Sequence, residues 1–356
     1  MTNENLVNKL TNIKYNNLMS KKVTIYDIAK YLNVTPATVS YALNNVSKVS
    51  EETRKKILET AKELGYSRDY NAVSLSTGKT HLMALFLPFE DISKPFLENP
   101  FYGEFIGGFE KQIMKQDYDL LVQPALQEKD MLPWLRKRGV DAIAVIGTYP
   151  KYFIKAFKTY NKPVVLVDSY GEKDNEFNTV LTADTDGVFE STSYLINNGH
   201  KRIAFVSGYK ESSLLDMRRF QGYVSALKEH DIPLDESIIF ERGISIEEGL
   251  KLTDELIKKD ITGIICAADT LAIGIINGLK LKGKRIPDDY SVIGFDDIQS
   301  AKYISPSLTT IRQDITEKGR LAAKLLLDDL RNNENNHKQI SLAPELIIRD
   351  SVKKIS

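Results

Sequence analysis

The chain has 356 residues, 42% of them hydrophobic and 27% charged, enough to bury a sizeable core and to form two or three domains. A single cysteine, Cys266, excludes an intrachain disulfide framework, and four scattered histidines form no group at zinc-ligand spacing, so neither metal nor cofactor is expected. The net charge is zero, no apolar run approaches the roughly 20 residues of a membrane span and no secretory signal opens the chain, which points to a cytoplasmic protein without a membrane partner.

Charge is nevertheless unevenly placed. Residues 1–80 carry 12 Lys and Arg against 7 Asp and Glu, which makes this end the candidate contact for a polyanion. Residues 1–22, rich in Asn and Lys without apolar period, read as a disordered arm. From Val23 the pattern tightens. Thr24 is placed to cap a helix that turns Ile25, Ile28, Ala29 and Leu32 inward. A short polar turn ends with Thr35 as the next N-cap and Pro36 at the first helical position, where its missing N–H costs nothing. In the second helix Ala37, Val39, Ala42 and Leu43 supply the buried side, leaving Thr38, Ser40, Tyr41 and Asn44 outside. A third helix, capped by Ser50, directs Ile57, Leu58, Ala61 and Leu64 inward and Arg54, Lys55, Lys56 and Lys62 outward. Periodicity alone leaves two readings open for residues 23–66, a helix-turn-helix that lays its second helix in the major groove or a small helical interaction module.

Residues 67–80 are too polar to pack alone and read as a hinge. Thr77-Gly78-Lys79-Thr80 looks like the end of a phosphate-binding loop, but Val73 stands where that loop needs its first glycine, so nucleotide hydrolysis is rejected. Within 81–356, apolar runs at Leu82–Leu87, Leu120–Val122, Ala142–Ile146, Val164–Val167, Ile203–Val206, Ile261–Ile265 and Ser291–Phe295 alternate with helical stretches near 101–116, 150–159, 185–198, 216–229, 246–258 and 270–282. Near-continuous apolar strands separated by helices imply parallel sheets covered on both faces. That many strands suggest two doubly wound α/β subdomains, crossing near 168–183, 299–310 and 338–345, with a ligand between them at the carboxyl ends of the strands. His200, in a turn before a strand, reads as a local packing residue, and no catalytic constellation emerges. The chain is read as a binding protein, not an enzyme.

The runs Val23–Ala29, Val34–Asn44 and Val49–Arg54 closely resemble the headpiece of the lactose-repressor (LacI/GalR) family of transcriptional regulators. The resemblance continues through Asn99-Pro100-Phe101-Tyr102, Gly199–Ala204, Arg219–Tyr223, Gly294–Ile298 and Pro306–Gln313, and covers nearly the whole chain from Val23 to Ser351. It implies a three-helix headpiece joined to a periplasmic-binding-protein-like core. Its implied contacts to double-stranded DNA are Thr24, Tyr26, Thr35, Ala37, Thr38, Ser40, Tyr41, Asn44 and Thr53, with Ala72 and Leu75 of the hinge at the minor groove, where Leu75 acts as an apolar wedge. Tyr41 stands where many members carry arginine, a guanine reader.

By the same resemblance Arg219 and Asp296 hydrogen-bond a polar effector from one subdomain, Phe101 and Tyr102 wall the pocket from the other, and Asp168 with Ser169 lie at the crossover. Such a set suits a sugar or sugar phosphate, with charged groups gripping hydroxyls and a ring against the apolar sugar face. The implied function is a repressor of carbohydrate-utilisation genes. Ala268 and Ala183 depart from the family pattern, where asparagine and aspartate are common. The chain closes without leucine heptads, so the implied state is a homodimer reading a pseudo-palindromic operator. A transport-type sugar-binding protein and a sugar-modifying α/β enzyme are the competing classes.

Overall fold

The computed structural model describes residues 23–43, 46–66, 78–88, 99–147, 149, 151–171, 176–332 and 337–355. Asn44, Ala72 and Leu75 therefore lie outside the described residues. Contacts divide the chain between Lys79 and Thr80.

The small amino-terminal unit holds α1 (Ile25–Leu32), α2 (Pro36–Leu43) and α3 (Glu51–Glu63). Each begins where a short polar side chain can satisfy a backbone group that the first turn leaves without a partner. The Asp27 carboxylate accepts from both the backbone N–H and the hydroxyl of Thr24, at 2.9 and 2.7 Å. Thr35 Oγ1 accepts from Thr38 N–H, and Ser50 Oγ from Thr53 N–H. Val23, Ile28, Ala29, Val39, Ala42, Ile57 and Ala61 form the core. Two inward assignments fail here. Ala37 is exposed, and Leu58 is 47% exposed while Thr60 takes the inward place beside Ile57 and Ala61. The 3.6-residue period puts Thr60 on the face of Ile57 and turns Leu58 away from it.

The large unit contains two six-stranded sheets. Its strands are β1 (Leu82–Leu87), β2 (Asp119–Pro124), β3 (Ala142–Ile146), β4 (Val164–Val167), β5 (Asn178–Thr182), β6 (Ile203–Ser207), β7 (Ile239–Glu241), β8 (Gly263–Cys266), β9 (Ser291–Asp296), β10 (Thr309–Arg312), β11 (Gln339–Leu342) and β12 (Glu345–Ile347). The helices between them are α4 (Pro100–Ile113), α5 (Glu128–Arg138), α6 (Lys151–Tyr160), α7 (Asp184–Asn197), α8 (Leu214–Glu229), α9 (Ile246–Leu256), α10 (Asp269–Leu281) and α11 (Ile315–Asn332). The first sheet runs β11-β5-β4-β3-β1-β2 and is parallel throughout. The second runs β12-β10-β9-β8-β6-β7, with only β12 antiparallel, against β10.

The chain passes from one sheet to the other at Ala183, at Gln313–Asp314 and at Ala343–Pro344. Each sheet is covered on both faces by apolar clusters, as a parallel sheet requires. His200 is a packing residue, buried with Nδ1 beside Thr262 Oγ1 and Nε2 beside the Lys353 carbonyl, and burial lowers its pKa.

Three helix pairs pack backbone against backbone at glycines. A Cβ on Gly108 of α4 would lie 2.1 Å from the Thr316 carbonyl oxygen, and one on Gly319 of α11 would lie 2.2 Å from that of Phe105. Gly222 of α8 meets the Thr185 carbonyl of α7 in the same way, and Gly249 and Gly274 make a reciprocal contact between α9 and α10. Because main-chain atoms cannot move aside as a flexible side chain can, Gly319→Ala is expected to cost the large unit roughly 1–3 kcal/mol by overpacking. Urea unfolding followed by tryptophan fluorescence checks this, since Trp134, the sole tryptophan, is half-buried against this subdomain's core.

Candidate functional site

The carboxyl ends of strands from both sheets open onto a cleft of about 650 Å³. Pro88 after β1, Gly147 after β3 and Asp168 after β4 contribute from the first sheet, and Ala267 and Ala268 after β8 and Asp296 at the end of β9 from the second. Asn99 caps α4 by accepting from Phe101 N–H at 3.0 Å, which sets Phe101 and Tyr102 into the wall. Ser212, Ser213, Leu215 and Asp216 bring in the start of α8, and Asp216 is held there by Gly208 N–H at 2.9 Å.

Of the six residues singled out from sequence, Phe101, Tyr102, Asp168, Arg219 and Asp296 line this cleft. Ser169 is buried beside it without lining it. Two of the lining carboxylates sit on unusual backbone, Asp168 at φ 52° and Asp296 at φ 119°. Such conformations cost energy in a non-glycine residue and persist only where the surroundings hold them.

Arg219 is not free to meet a ligand with its whole guanidinium. Its Nε donates to Asp184 Oδ1 at 2.7 Å, its Nη1 donates to the Ala267 carbonyl, and its plane lies 3.8 Å from the Phe295 ring centroid. Tyr170 donates its hydroxyl to the other oxygen of Asp184. Burial opposes the charge on Arg219, but Asp184 and Asp296 outweigh it and hold its pKa above the ordinary value. A second buried pair joins Lys318 to both oxygens of Asp168 at 2.7 Å. Gln313 connects the two halves by accepting from Lys318 and Thr182 and donating to Asp296.

Burial raises the pKa of Asp168 against the opposing pull of Lys318, and pushes that of Asp296 up to about 6 against Arg219 and the Gln313 hydrogen bond. The cleft thus offers carboxylate acceptors from both subdomains between aromatic walls. No cluster of metal-ligating side chains occurs among the described residues.

Sequence reasoning missed Asp184, Asp216, Gln313 and Lys318. Gln313 closes a stretch whose motif was visible but which carried no role. Asp184 and Lys318 sit in helices whose neighbours give no sign that these positions are buried.

On the small unit, Thr24, Tyr26, Thr35, Ala37 and Tyr41 are exposed and Thr38, Ser40 and Thr53 half-buried. Lys48 lies 5.3 Å from the centre of the Tyr41 ring. Polar groups, exposed tyrosines and a cation therefore share the surface of α2 and its surroundings, chemistry suited to base edges and phosphates.

Residues 24–69 match the model of bacterial regulatory proteins of the lacI family, and residues 192–352 match a periplasmic binding protein-like domain. A probable HTH-type transcriptional repressor ExuR of Bacillus subtilis is 34% identical over 338 residues, covering 94% of this chain and 99% of the relative. The chain belongs to the LacI family. The HTH-type transcriptional repressor PurR of Mannheimia succiniciproducens is 30% identical over 94% of this chain and 99% of its own length. A LacI-family regulator of Enterococcus faecium, solved with bound ribose, superposes with a TM-score of 0.70 at 30% identity over 77% of this chain and all of its own. The lac repressor dimer on its operator shares the fold, with a TM-score of 0.77 at 23% identity. This LacI-family chain is a DNA-binding transcriptional repressor controlled by a small molecule. No described helix is long and apolar enough to cross a membrane.

Two outcomes follow from the buried charges. Arg219→Ala strands the Asp184 carboxylate, so the large unit should lose roughly 3–5 kcal/mol of stability, read as a lower unfolding midpoint alongside any loss of ligand response. Asp296 behaves oppositely to a salt-bridged surface acid. Folding raises its pKa from 3.8 to about 6, so the folded unit binds the proton more tightly than the unfolded chain. Its contribution to stability is full at the lowest pH and is lost as pH rises through about 6. Calorimetric unfolding from pH 4 to pH 8 should show that decline in the native protein and a flatter profile in Asp296→Asn.

Proposed function

We propose that this repressor is governed by a sugar or sugar-phosphate effector bound between Asp168 and Asp296 and flanked by Phe101 and Tyr102, and that it acts in the cytoplasm on carbohydrate-utilisation genes. The observation that carries this reading is the pairing of two carboxylates from opposite subdomains across an aromatic-walled cleft. Ionised carboxylates accept strong hydrogen bonds from hydroxyls, while rings cover the apolar sugar face. Ligand bound to both halves fixes their relative position. Because coupling is reciprocal, whatever state the ligand favours also sets operator affinity.

Within this reading the chain divides into a headpiece at 23–66, a hinge at 67–80 and a core from 81. Thr38, Ser40 and Tyr41 face base edges, with Thr24, Tyr26, Thr35, Ala37, Asn44 and Thr53 at the groove edge and Ala72 and Leu75 at the minor groove. Two copies read a pseudo-palindrome. Exposed Ile246 and Leu250 on α9, with Leu281 at the end of α10, supply apolar surface for a second copy.

Selection of purified full-length protein on a random oligonucleotide pool, with and without ribose, cellobiose and a panel of hexoses and their phosphates, tests the reading. Enrichment of a pseudo-palindrome whose retention changes with a sugar is expected. A palindrome that answers only to a ligand without a sugar ring would overturn the effector assignment. On the selected operator, Ser40→Ala should lose discrimination worth roughly 1–3 kcal/mol at one base position, with little change on random DNA. Competition binding measures both.

A further inference from the structure

Lys318 is wholly buried, in the second turn of α11, and does not line the cleft. A buried ammonium is tolerated only when paired and fully hydrogen-bonded. Here three acceptors meet it, Asp168 Oδ1 and Oδ2 at 2.7 Å and Gln313 Oε1 at 2.6 Å, and the Phe101 ring centre lies 5.5 Å away. Gln313 occupies the second crossover between the sheets and is itself buried. Its Oε1 also accepts from Thr182 Oγ1 at 3.0 Å, and its Nε2 donates to Asp296 Oδ1 at 2.5 Å. Turned over, the amide would put N–H groups against the ammonium and an oxygen against the carboxylate, two repulsive contacts. The lysine charge therefore selects the amide orientation, and the amide in turn occupies one oxygen of Asp296.

We propose that Lys318 is a positioning residue of the effector site, whose charge fixes Asp168 and Gln313 in one arrangement and so ties the carboxylate of the first subdomain to that of the second. The inference rests on the cleft being the effector site, but its core claim concerns the two carboxylates without ligand. Asp168 is faced by Lys318 from α11, Asp184 from α7, Arg219 from α8, Tyr102 from α4 and Tyr170. Asp296 is faced by Arg219, Lys318, Asp184, Asp269 and Tyr102. Lys318 is the cation closest to Asp168 among these groups, so replacing it with a neutral residue leaves that buried carboxylate with Asp184 opposing its charge and only the weaker pull of Arg219 favouring it. A lysine that merely fills space would leave the pH profile unchanged.

Full-length wild-type protein, Lys318→Met and the double variant Lys318→Met with Asp168→Asn are compared without ligand from pH 5 to pH 8. In Lys318→Met the proton affinity of Asp168 should rise about tenfold or more. Its ionisation then destabilises the fold, so the unfolding midpoint falls more steeply with rising pH than in the wild type. Neutralising Asp168 as well should remove the extra steepness. Parallel wild-type and Lys318→Met curves overturn the proposal.

If Lys318→Met does not fold, the wild type still decides. The ¹⁵N–¹H signal of the Lys318 ammonium should stay protected from water exchange up to pH 8, and rapid exchange would refute the closed pair. Calorimetry with ribose and cellobiose at pH 6 and pH 8 separates the two readings. A sugar bound by the wild type should bind Lys318→Met at least about tenfold more weakly and with altered pH dependence, whereas equal affinity and pH dependence overturn the positioning role. If neither sugar binds the wild type while the unfolding curves diverge, these two sugars are excluded as effectors and the lysine link stands.

Discussion

Charge buried between the two sheets is the constraint around which the large unit is arranged. Asp168, Asp184, Asp296, Arg219 and Lys318 are all nearly or fully removed from solvent, and a charge in that position is stable only with a partner close by. Strand ends, helix starts and one crossover are accordingly placed so that each cation meets a carboxylate. The positive φ of Asp168 and Asp296 belongs to the same arrangement, since turning the backbone out of the strand there directs the side chains to their partners. The cleft is the space left between groups that hold each other.

That arrangement explains why the proposed effector cleft and a stability determinant coincide here. Arg219 lines the cleft, yet its strongest contacts are to Asp184 and the Ala267 carbonyl. A ligand in this cleft would therefore meet an arginine already oriented by the protein, with little left to order on binding. Gln313 has a comparable place, spending both ends of its amide inside the protein while still bordering the cleft.

Much of the architecture was legible because buried parallel strands such as Ala142–Ile146 and Val164–Val167 are apolar throughout, and because Thr35-Pro36 and Ser50 announce helix starts by their chemistry. The strands that escaped notice carry no such run. Asn178–Thr182 is buried along its whole length although three of its five residues are polar, and its neighbours β4 and β11 supply what its own sequence does not advertise. Thr309–Arg312, Ile239–Glu241 and the two strands near the carboxyl end are only three or four residues long, too short to show an apolar run. Helix α5 was hidden by its charge and by Pro133 inside it, and α11 by lying past the last apolar strand. In the cleft, aromatic and charged residues within recognisable motifs were found, whereas Lys318 and Asp184 were not, because burial of a lone charged residue is a property of the fold around it.

The glycine contacts within the helix pairs have a mechanical consequence. Main-chain atoms pressed together at Gly108 and Gly319, and again at Gly222, Gly249 and Gly274, leave no layer of flexible side chains at these points between the paired helices, which stiffens each pair against sliding. The two sheets are joined only by the short spans at 183, 313–314 and 343–344, where the fewest contacts would resist a change of their relative position. Were the two subdomains to turn about these spans, the displacement would grow with distance from them along either arm.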